Sequence, residues 1–446
     1  MKLSRKHIIA SIFILIVLAG VGYKYRGFVR LKMLQCLHSF DDPPETAQVE
    51  EEPFIGLFGP ARSSTGADDS LTDLEREQLG IIRDLGYLSG YEEAPIEEGV
   101  VLYDTTQAFN GYNIIISGHG PGVVLVDMEG EVVHEWYNPE VTLYGLWPDA
   151  QDQTIPMTFW RRAYLGENGE LTVMIQSGGV VRVDRESNVI WQSDFLGCHH
   201  DIDRDQNGNT YTIGRYIHEN PDYFPDKQIA EDYIVVLDSV GRQIQKLSTL
   251  DVLANSDYAP LLRRMPDGGD VLHCNTIEYI RPDMLPEDYS GPLRPNTVLL
   301  SHRAIDVVCA VDLQEESVYW AESDLWHMQH QPTVMPNGTM MVFDNQGMEE
   351  RSTVLQFDPA TDDVTWFYRG TEEEPFYSVG SGSCHRLPNA NTLIAESMEG
   401  RAFEVNPEKE IVWEFYNPHR AGDDLELIAT LFDVVRVPPE NVDSWL

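Results

Sequence analysis

One short pattern recurs six times between residues 126 and 415, and it limits the folds open to this chain. Each copy is a polar turn between two short apolar segments, as in a β-hairpin. Repeats of about 40 to 50 residues with four strands each are typical of propeller blades. We therefore predict an all-β fold, a six-bladed β-propeller, with each copy as the outer hairpin of a blade. The copies are VDMEGEVVHEW (126–136), VDRESNVIWQS (183–193), LDSVGRQIQKL (237–247), VDLQEESVYWA (311–321), FDPATDDVTWF (357–367) and VNPEKEIVWEF (405–415).

Five of the six copies carry a tryptophan near their end. Isolated sheets of this kind would leave apolar faces in water, and only a closed ring buries all of them. We therefore expect these large side chains to pack between neighbouring blades, as part of the core. They are Trp136, Trp191, Trp320, Trp366 and Trp413.

A second hairpin precedes each copy, and most of these hairpins have an Asn-Gly or Pro-Asn turn. The first strand of a propeller blade lines the central channel, so its first residue lies at the mouth of the channel. His200 and His330 each lie seven residues before a turn asparagine, in blades 3 and 5. His273 begins a strand of the same length in blade 4, before an insertion at residues 281–295. Three imidazoles are thus predicted to meet at one place.

Two arginines are predicted to reach the same end of the channel. Arg303 lies seven residues after the turn in blade 4, on the returning strand, and Arg161 has the matching position in blade 2. Blade 1 offers Tyr103 at this position. The C-terminal segment 428–438 either closes the ring or docks beneath it. The sequence therefore predicts a locally basic channel mouth.

The charge of the whole chain is strongly negative, which excludes several classes of partner. Asp and Glu number 73 and Lys and Arg 31, for a formal net charge of −42. Such a surface repels nucleic acid and acidic lipid headgroups, so no nucleic-acid partner is expected. A basic pocket inside this protein must hold an anion through close, desolvated donors. Three imidazoles can also hold zinc with an open fourth position, although Arg303 beside them would repel a cation. We expect neither a metal nor a cofactor.

The first hundred residues differ in composition from the rest. Residues 7–23 carry no formal charge and follow three basic residues, and a span of about 17 to 25 apolar residues can cross a bilayer. We predict an N-terminal membrane anchor at 1–33. Residues 34–100 are predicted to form an acidic linker with one amphipathic helix, SLTDLEREQLGIIRDLGYLSG. The propeller is predicted at 101–446.

Six segments between residues 110 and 415 resemble those of a known family, the PAPS-independent bacterial arylsulfotransferases, including their membrane-anchored and poorly characterised relatives. The segments are GYNIIISGHGPGVVLVDMEGEVVHEWYNP, HHDIDRDQNGNTY, VLHCNTIEY, LLSHRAIDVVCAVD, QHQPTVMPNGTMMVFDN and CHRLPNANTLI.

The resemblance implies a sulfotransferase that moves a sulfuryl group from a small-molecule aryl sulfate to a phenol through a sulfated histidine. By motif, His330 is the expected nucleophile, and His273, Arg303 and His200 are expected to hold the sulfate oxygens. His199 and Arg161 are expected to contribute to substrate binding. Gln331 follows His330 where the family typically has Asp.

The resemblance also favours a single-pass protein of the inner membrane, with its propeller on the periplasmic or extracellular side. A different function remains open on the sequence alone. A non-catalytic propeller could use the same basic mouth to bind a sulfated or carboxylated ligand. A hydrolase or lyase with a metal at the histidines is a third hypothesis.

Overall fold

The computed structural model of the protein describes residues 91–146, 159–225, 227–348, 351–421 and 425–446. Six antiparallel sheets form the blades, and their innermost strands contact one another in a closed ring. The predicted all-β, six-bladed propeller is therefore confirmed. The predicted anchor and amphipathic helix lie outside the described residues. Among the residues that are described, no helix is both long and apolar enough to cross a membrane.

The strands of the first two blades follow two short leading strands. The leading strands are β1 (Tyr91–Glu93) and β2 (Gly99–Tyr103). Blade 1 contains β3 (Tyr112–Ser117), β4 (Gly122–Val126) and β5 (Val132–Tyr137), and the short helix α1 (Leu143–Leu146) follows it. Blade 2 contains β6 (Trp160–Leu165), β7 (Leu171–Ile175), β8 (Val180–Val183) and β9 (Val189–Gln192).

Blades 3 and 4 are larger because segments are added to them. Blade 3 contains β10 (Cys198–Arg204), β11 (Thr210–Glu219), β12 (Gln228–Leu237) and β13 (Gln243–Ser248). After it come α2 (Thr249–Ala254), a 3-10 helix (Ala259–Arg264) and β14 (Gly269–Asp270), which pairs in parallel with β12. Blade 4 contains β15 (Cys274–Ile280), β16 (Thr297–His302), β17 (Val307–Asp312) and β18 (Ser317–Glu322), with 3-10 helices at Pro282–Met284 and Arg303–Ile305.

The last two blades and the C-terminal segment complete the ring. Blade 5 contains β19 (His330–Val334), β20 (Met340–Met348), β21 (Arg351–Phe357) and β22 (Val364–Arg369). Blade 6 contains β23 (Ser383–Arg386), β24 (Thr392–Glu396), β25 (Arg401–Val405) and β26 (Ile411–Tyr416). The chain ends with β27 (Arg420–Ala421), β28 (Leu427–Ala429), β29 (Leu431–Val437) and a 3-10 helix (Pro439–Asn441).

The C-terminal strand closes the propeller. β29 pairs with β3 and becomes the innermost strand of blade 1, whereas β2 pairs with β26 at the outer edge of blade 6. The prediction that Tyr103 starts the inner strand of blade 1 is therefore wrong. The Asn-Gly turn after Phe109 joins no hairpin, because the strand before it belongs to blade 6 and the strand after it pairs with β29.

Tryptophans join neighbouring blades, as the sequence predicted. The indole Nε1 of Trp136 in blade 1 donates a hydrogen bond to the carbonyl of Gly169 in blade 2, at 2.8 Å. Trp320 donates in the same way to blade 5 and Trp413 to blade 1. Each of these rings is largely buried against apolar side chains, so it contributes both apolar area and a satisfied polar group.

Polar side chains tie the inner strands together around a central cavity of about 830 Å³. In blades 3 to 6 the side chain of one blade accepts a hydrogen bond from a backbone N–H of the next. These contacts are Asp201 to Ile277 (3.1 Å), Glu278 to Val334 (2.9 Å) and Gln331 to Cys384 (3.2 Å). Because Gln331 contacts Cys384 in this way, it joins blades 5 and 6. Burial raises the pKa of Asp201 to about 6.

An ionic chain completes the ring on the remaining side of the cavity. Asp433 in blade 1 accepts from His385 in blade 6 at 2.8 Å and from Arg162 in blade 2 at 2.6 Å. Arg162 also lies 3.1 Å from Asp201 in blade 3. All six blades are therefore connected through polar contacts beside the channel.

Candidate functional site

The candidate site lies where four inner strands begin, in blades 2 to 5. Each of these inner hairpins has an irregular register at this end. The shifts occur between Trp160 and Arg162, His199 and Ile202, Cys274 and Thr276, and His330 and Thr333. Such bulges redirect side chains and are common beside active sites. The irregularity therefore lets side chains from successive blades turn into the mouth of the channel.

Backbone conformation at this end is also unusual. His200, His273 and Gln331 have positive φ angles of 64°, 52° and 44°. Non-glycine residues adopt this left-handed conformation infrequently and at some energetic cost, which the surrounding structure must support. Positive φ angles near the same end of three neighbouring inner strands are consistent with a site that requires particular side-chain directions.

His330 is held in one tautomer by a fixed amide. Its Nδ1 lies 2.6 Å from Oδ1 of Asn345, and the amide Nδ2 of Asn345 donates to the carbonyls of Ser378 (2.7 Å) and Ser381 (2.8 Å). Because the amide nitrogen is committed to these carbonyls, Oδ1 must accept, and Nδ1 of His330 carries the proton. Nε2 therefore carries the lone pair.

The environment of His330 keeps its ring neutral. The residue is 4% exposed, and its Nε2 is buried without a hydrogen-bond partner among the described residues. Burial lowers the pKa of His330 well below 6.5, and the positive charges of Arg303 and Arg161 lower it further. A buried, neutral imidazole with an unprotonated Nε2 is a competent nucleophile.

His273 and Arg303 flank the inner hairpin of blade 4, one just before β15 and the other just after β16. Nδ1 of His273 lies 2.6 Å from the carboxylate of Asp270, and the backbone N–H of Arg303 donates to the carbonyl of His273 at 3.0 Å. Burial lowers the pKa of His273, whereas Asp270 opposes that shift. The charge of Arg303 also lowers the pKa of both His273 and His330.

His200 and Arg161 complete the group in blades 3 and 2. The ring centroids of His200 and His273 are 5.1 Å apart. Arg161 is 4% exposed, with its guanidinium 4.7 Å from the centre of the Phe432 ring, and its charge lowers the pKa of both His200 and His330. The structure thus brings together the five residues that the repeat pattern singled out.

His199 has a different position from the others. Its Nδ1 lies 2.5 Å from Nδ1 of His200, and its Nε2 lies 3.0 Å from the carboxylate of Asp232. It therefore contacts His200 on one side and a buried acid on the other.

Three supporting residues were missed by the sequence analysis: Asn345, Asp232 and Asp270. The two acids share Arg215, whose Nε lies 2.8 Å from Asp232 and whose Nη1 lies 3.0 Å from Asp270. None of the three lies at a repeat position. Asn345 lies within the second strand of blade 5, two residues after Phe343, which pairs with His330, and this closeness to the predicted nucleophile is the one signal that could have identified it.

The central cavity has a mixed lining. Its carboxylates include those of Asp201, Asp203, Glu278 and Asp433, and its cationic side chains include Arg162, Arg281 and Arg436. The three imidazoles and two guanidinium groups of the site are not among the residues that line this cavity, and the two guanidinium charges favour an anionic ligand beside them.

Comparisons with known proteins were made on sequence and on structure. A search of curated proteins gives no match. Similar solved structures include a protein of unknown function from Bacteroides caccae, with a TM-score of 0.47, 10% identity and coverage of 73% of this chain and 98% of that one. The WD40 β-propeller domain of Doa1 has a TM-score of 0.41 and 12% identity, covering 78% and 96%. Streptogramin B lyase has a TM-score of 0.40 and 10% identity, covering 77% and 95%.

A family comparison is more specific. The sequence model of the arylsulfotransferase (ASST) family matches residues 173–418. The matched region is more than half of the chain, and it includes His200, His273, Arg303 and His330. The chain therefore belongs to the arylsulfotransferase (ASST) family.

Proposed function

We propose that the protein is a PAPS-independent aryl sulfotransferase that transfers a sulfuryl group from an aryl sulfate to a phenol through a sulfohistidine at His330. Membership of the arylsulfotransferase family supports the sulfotransferase class. The observation that supports this mechanism is the environment of Nε2 of His330. It is buried, has no hydrogen-bond partner in the described part of the chain, and lies in the field of two arginines.

In the first half of the proposed reaction, the lone pair of His330 Nε2 attacks the sulfur atom. An N–S bond forms, the S–O bond to the aromatic ring breaks, and its electron pair leaves with the phenolic oxygen. Arg303 and Arg161 would neutralise the charge on the remaining sulfuryl oxygens. Positioning and neutralisation are the main demands of the related phosphoryl transfer, and these side chains can meet them.

In the second half, an acceptor phenol loses its proton to solvent, and its phenolate oxygen attacks the same sulfur. A new S–O bond forms, the N–S bond breaks, and its electron pair returns to Nε2 of His330. Nδ1 of His330 keeps its proton throughout and donates it to Oδ1 of Asn345. The use of one covalent intermediate for two substrates predicts ping-pong kinetics.

The covalent intermediate provides the direct test of this proposal. We would expose the purified protein briefly to p-nitrophenyl sulfate without acceptor, quench it, and measure the intact mass and the modified peptide. The expected result is one added sulfuryl group on the peptide that contains His330, lost on addition of phenol. Saturable binding of the aryl sulfate, with no adduct and no nitrophenol release, would support a non-catalytic binding propeller instead.

The tautomer of His330 is expected to depend on Asn345. In an Asn345→Leu variant, neither tautomer of the ring is favoured by a hydrogen bond, so a smaller fraction carries its lone pair at Nε2. We expect kcat/KM for the aryl sulfate to fall about 10²-fold, by analogy with enzymes in which the partner of a catalytic imidazole is replaced. Steady-state kinetics on a variant with an unchanged circular dichroism spectrum measures this effect. Unchanged kcat/KM would show that the amide has no influence on the nucleophile.

The low pKa of His330 predicts an unusual pH dependence. An exposed imidazole with a pKa of about 6.5 loses its lone pair as the pH falls through that value. Because burial and the neighbouring arginines lower the pKa of His330, its Nε2 stays unprotonated in that range. We expect the single-turnover rate of adduct formation, at saturating donor, to stay constant between about pH 8 and pH 6. An acid limb centred near 6.5 would contradict a buried nucleophile.

We also propose that residues 1–33 anchor the protein in the inner membrane, with the propeller outside. The uncharged stretch at residues 7–23 supports this location. Fractionation of cells that produce the full chain, followed by protease treatment of intact spheroplasts, tests it. Full-length protein in the soluble fraction would contradict the anchor.

A further inference from the structure

Two consecutive histidines connect the site to a buried acid. His200 and His199 share a hydrogen bond between their Nδ1 atoms at 2.5 Å, and Nε2 of His199 lies 3.0 Å from Oδ1 of Asp232. The three residues are 3%, 3% and 1% exposed. The chain of contacts therefore runs from the site into the interior of blade 3, away from solvent.

The protons in this chain can be placed from the contacts alone. Asp232 also accepts hydrogen bonds from Arg215 and from the backbone N–H of Cys274, so it is ionised and can only accept. His199 must then carry a proton on Nε2. If His199 is neutral, its Nδ1 is an acceptor, and the shared proton belongs to Nδ1 of His200. That arrangement leaves a lone pair on Nε2 of His200.

This arrangement does not suit an anionic ligand. The oxygens of a sulfate group only accept hydrogen bonds, and a lone pair on Nε2 of His200 would repel them. A single added proton reverses the direction of the hydrogen bond between His199 and His200. When His199 carries protons on both nitrogens, it donates to Nδ1 of His200, and His200 must then carry its own proton on Nε2. His200 thereby becomes a neutral donor.

We propose that binding of a sulfate-bearing ligand takes up one proton at the His199–Asp232 pair, which turns His200 from an acceptor into a donor toward the ligand. The proposal deepens the proposed function and rests on it, because it assigns His199 and Asp232 as positioning residues for the sulfuryl group. The added charge resides beside a carboxylate instead of beside Arg161.

The charges around the hydrogen-bonded residues His200, His199 and Asp232 support this location of the proton. His200 faces Arg161, His273 and Arg215, all of which disfavour a charge on its own ring. His199 lies near Arg215, but also near Asp232 and Asp270. His302 is a further titratable neighbour of Asp232.

The two carboxylates exceed the single guanidinium of Arg215, so this region can accommodate one additional positive charge. Burial is the main cause that lowers the pKa of His199, to about 4, in the unliganded protein. His199 is therefore neutral before an anion binds, and the proton must come from solvent.

Inorganic sulfate provides a non-reactive probe. Titration calorimetry in two buffers with different ionisation enthalpies measures the number of protons taken up on binding. We expect the wild-type protein to take up about one proton, so its Kd for sulfate should rise about tenfold per pH unit between roughly pH 6 and pH 8. Proton uptake near zero, or no sulfate binding in this range, would overturn the proposal.

A matched variant identifies the residue that takes up the proton. In His199→Gln, the amide oxygen can accept from His200 and the amide nitrogen can donate to Asp232, but the side chain cannot be protonated. We expect this variant to bind sulfate more weakly than the wild type at pH 6, without proton uptake and with a Kd independent of pH. Uptake equal to that of the wild type would place the proton elsewhere, for example on His273 beside Asp270, and would contradict the proposal.

A second measurement on the wild-type protein needs no variant. Nitrogen chemical shifts of the imidazoles distinguish a neutral ring from an imidazolium. We expect His199 to become doubly protonated when sulfate is added. An unchanged ring would contradict proton uptake at the His199–Asp232 pair. The experiment is independent of turnover. Failure of the adduct test at His330, with proton uptake intact, would remove the transferase function but not the relay.

Discussion

Replacement of His330 by alanine is expected to abolish sulfuryl transfer from p-nitrophenyl sulfate to phenol. The variant lacks the atom that forms the N–S bond. No other imidazole described in the site has its tautomer fixed by an amide side chain, as Asn345 fixes that of His330. Loss of a catalytic nucleophile typically lowers kcat by about 10³-fold or more, to the level supported by binding alone. Release of nitrophenol, followed by its absorbance, measures the effect.

His327→Ala is the matched control for this experiment. His327 lies three residues earlier, its side chain is 53% exposed, and its Nδ1 contacts Asp306 at 2.8 Å. We expect this control to retain transfer within about twofold. The His330 variant should still bind sulfate, because the arginines and the other two imidazoles remain. Transfer at the wild-type rate by the folded His330→Ala protein would refute the covalent mechanism.

Glu404→Gln is expected to destabilise the propeller by about 3 to 5 kcal/mol, the usual cost of removing one partner of a buried ion pair. Glu404 in blade 6 lies 2.9 Å from Nη1 of Arg436 in blade 1, and both side chains are 0% exposed. Glu404 also accepts from the backbone N–H of Phe109 and from Asn391. The substitution therefore leaves a buried guanidinium uncompensated where the first and last blades meet. Urea denaturation monitored by tryptophan fluorescence measures the loss.

An exposed ion pair provides the comparison. Arg242 is 73% exposed at the side chain and lies 2.7 Å from Asp238. Since exposed pairs contribute about 0 to 1 kcal/mol, Arg242→Met should leave the denaturation midpoint nearly unchanged. In the double variant Glu404→Gln, Arg436→Met, no charge is buried alone, and part of the stability should return. Equal effects of the exposed and buried substitutions would exclude a special role for this contact.

The blade number could be predicted because each outer hairpin repeats the same local pattern. An Asp or Asn, a polar turn and a tryptophan are features of neighbouring residues, and they indicate both the strand pair and its inter-blade contact. The sequence left open whether the C-terminal segment closes the ring or docks beneath it. β3 and β29 are about three hundred residues apart in sequence, and nothing near Leu431 or Tyr112 specifies that they pair. The prediction that Tyr103 starts the inner strand of blade 1 is wrong for the same reason, because β29 takes that place.

The residues of the candidate site also divide into those that local sequence predicts and those that it does not. The residues at strand starts, such as His200 and His330, follow from a fixed distance to a turn. Asn345, Asp232 and Asp270 do not, because their roles depend on the bulges and on the third dimension of the fold. His199 was expected to contribute to substrate binding, but its contacts with His200 and Asp232 could not be predicted from the sequence.

The order in which the ring is assembled has a consequence for incomplete chains. A chain that stops before Leu431 lacks β29, so β3 would present an unpaired, highly apolar edge, YNIIIS, to the centre of the ring. Exposed edges of this kind recruit strands from other molecules. Chains that lack β29 should therefore accumulate as aggregates.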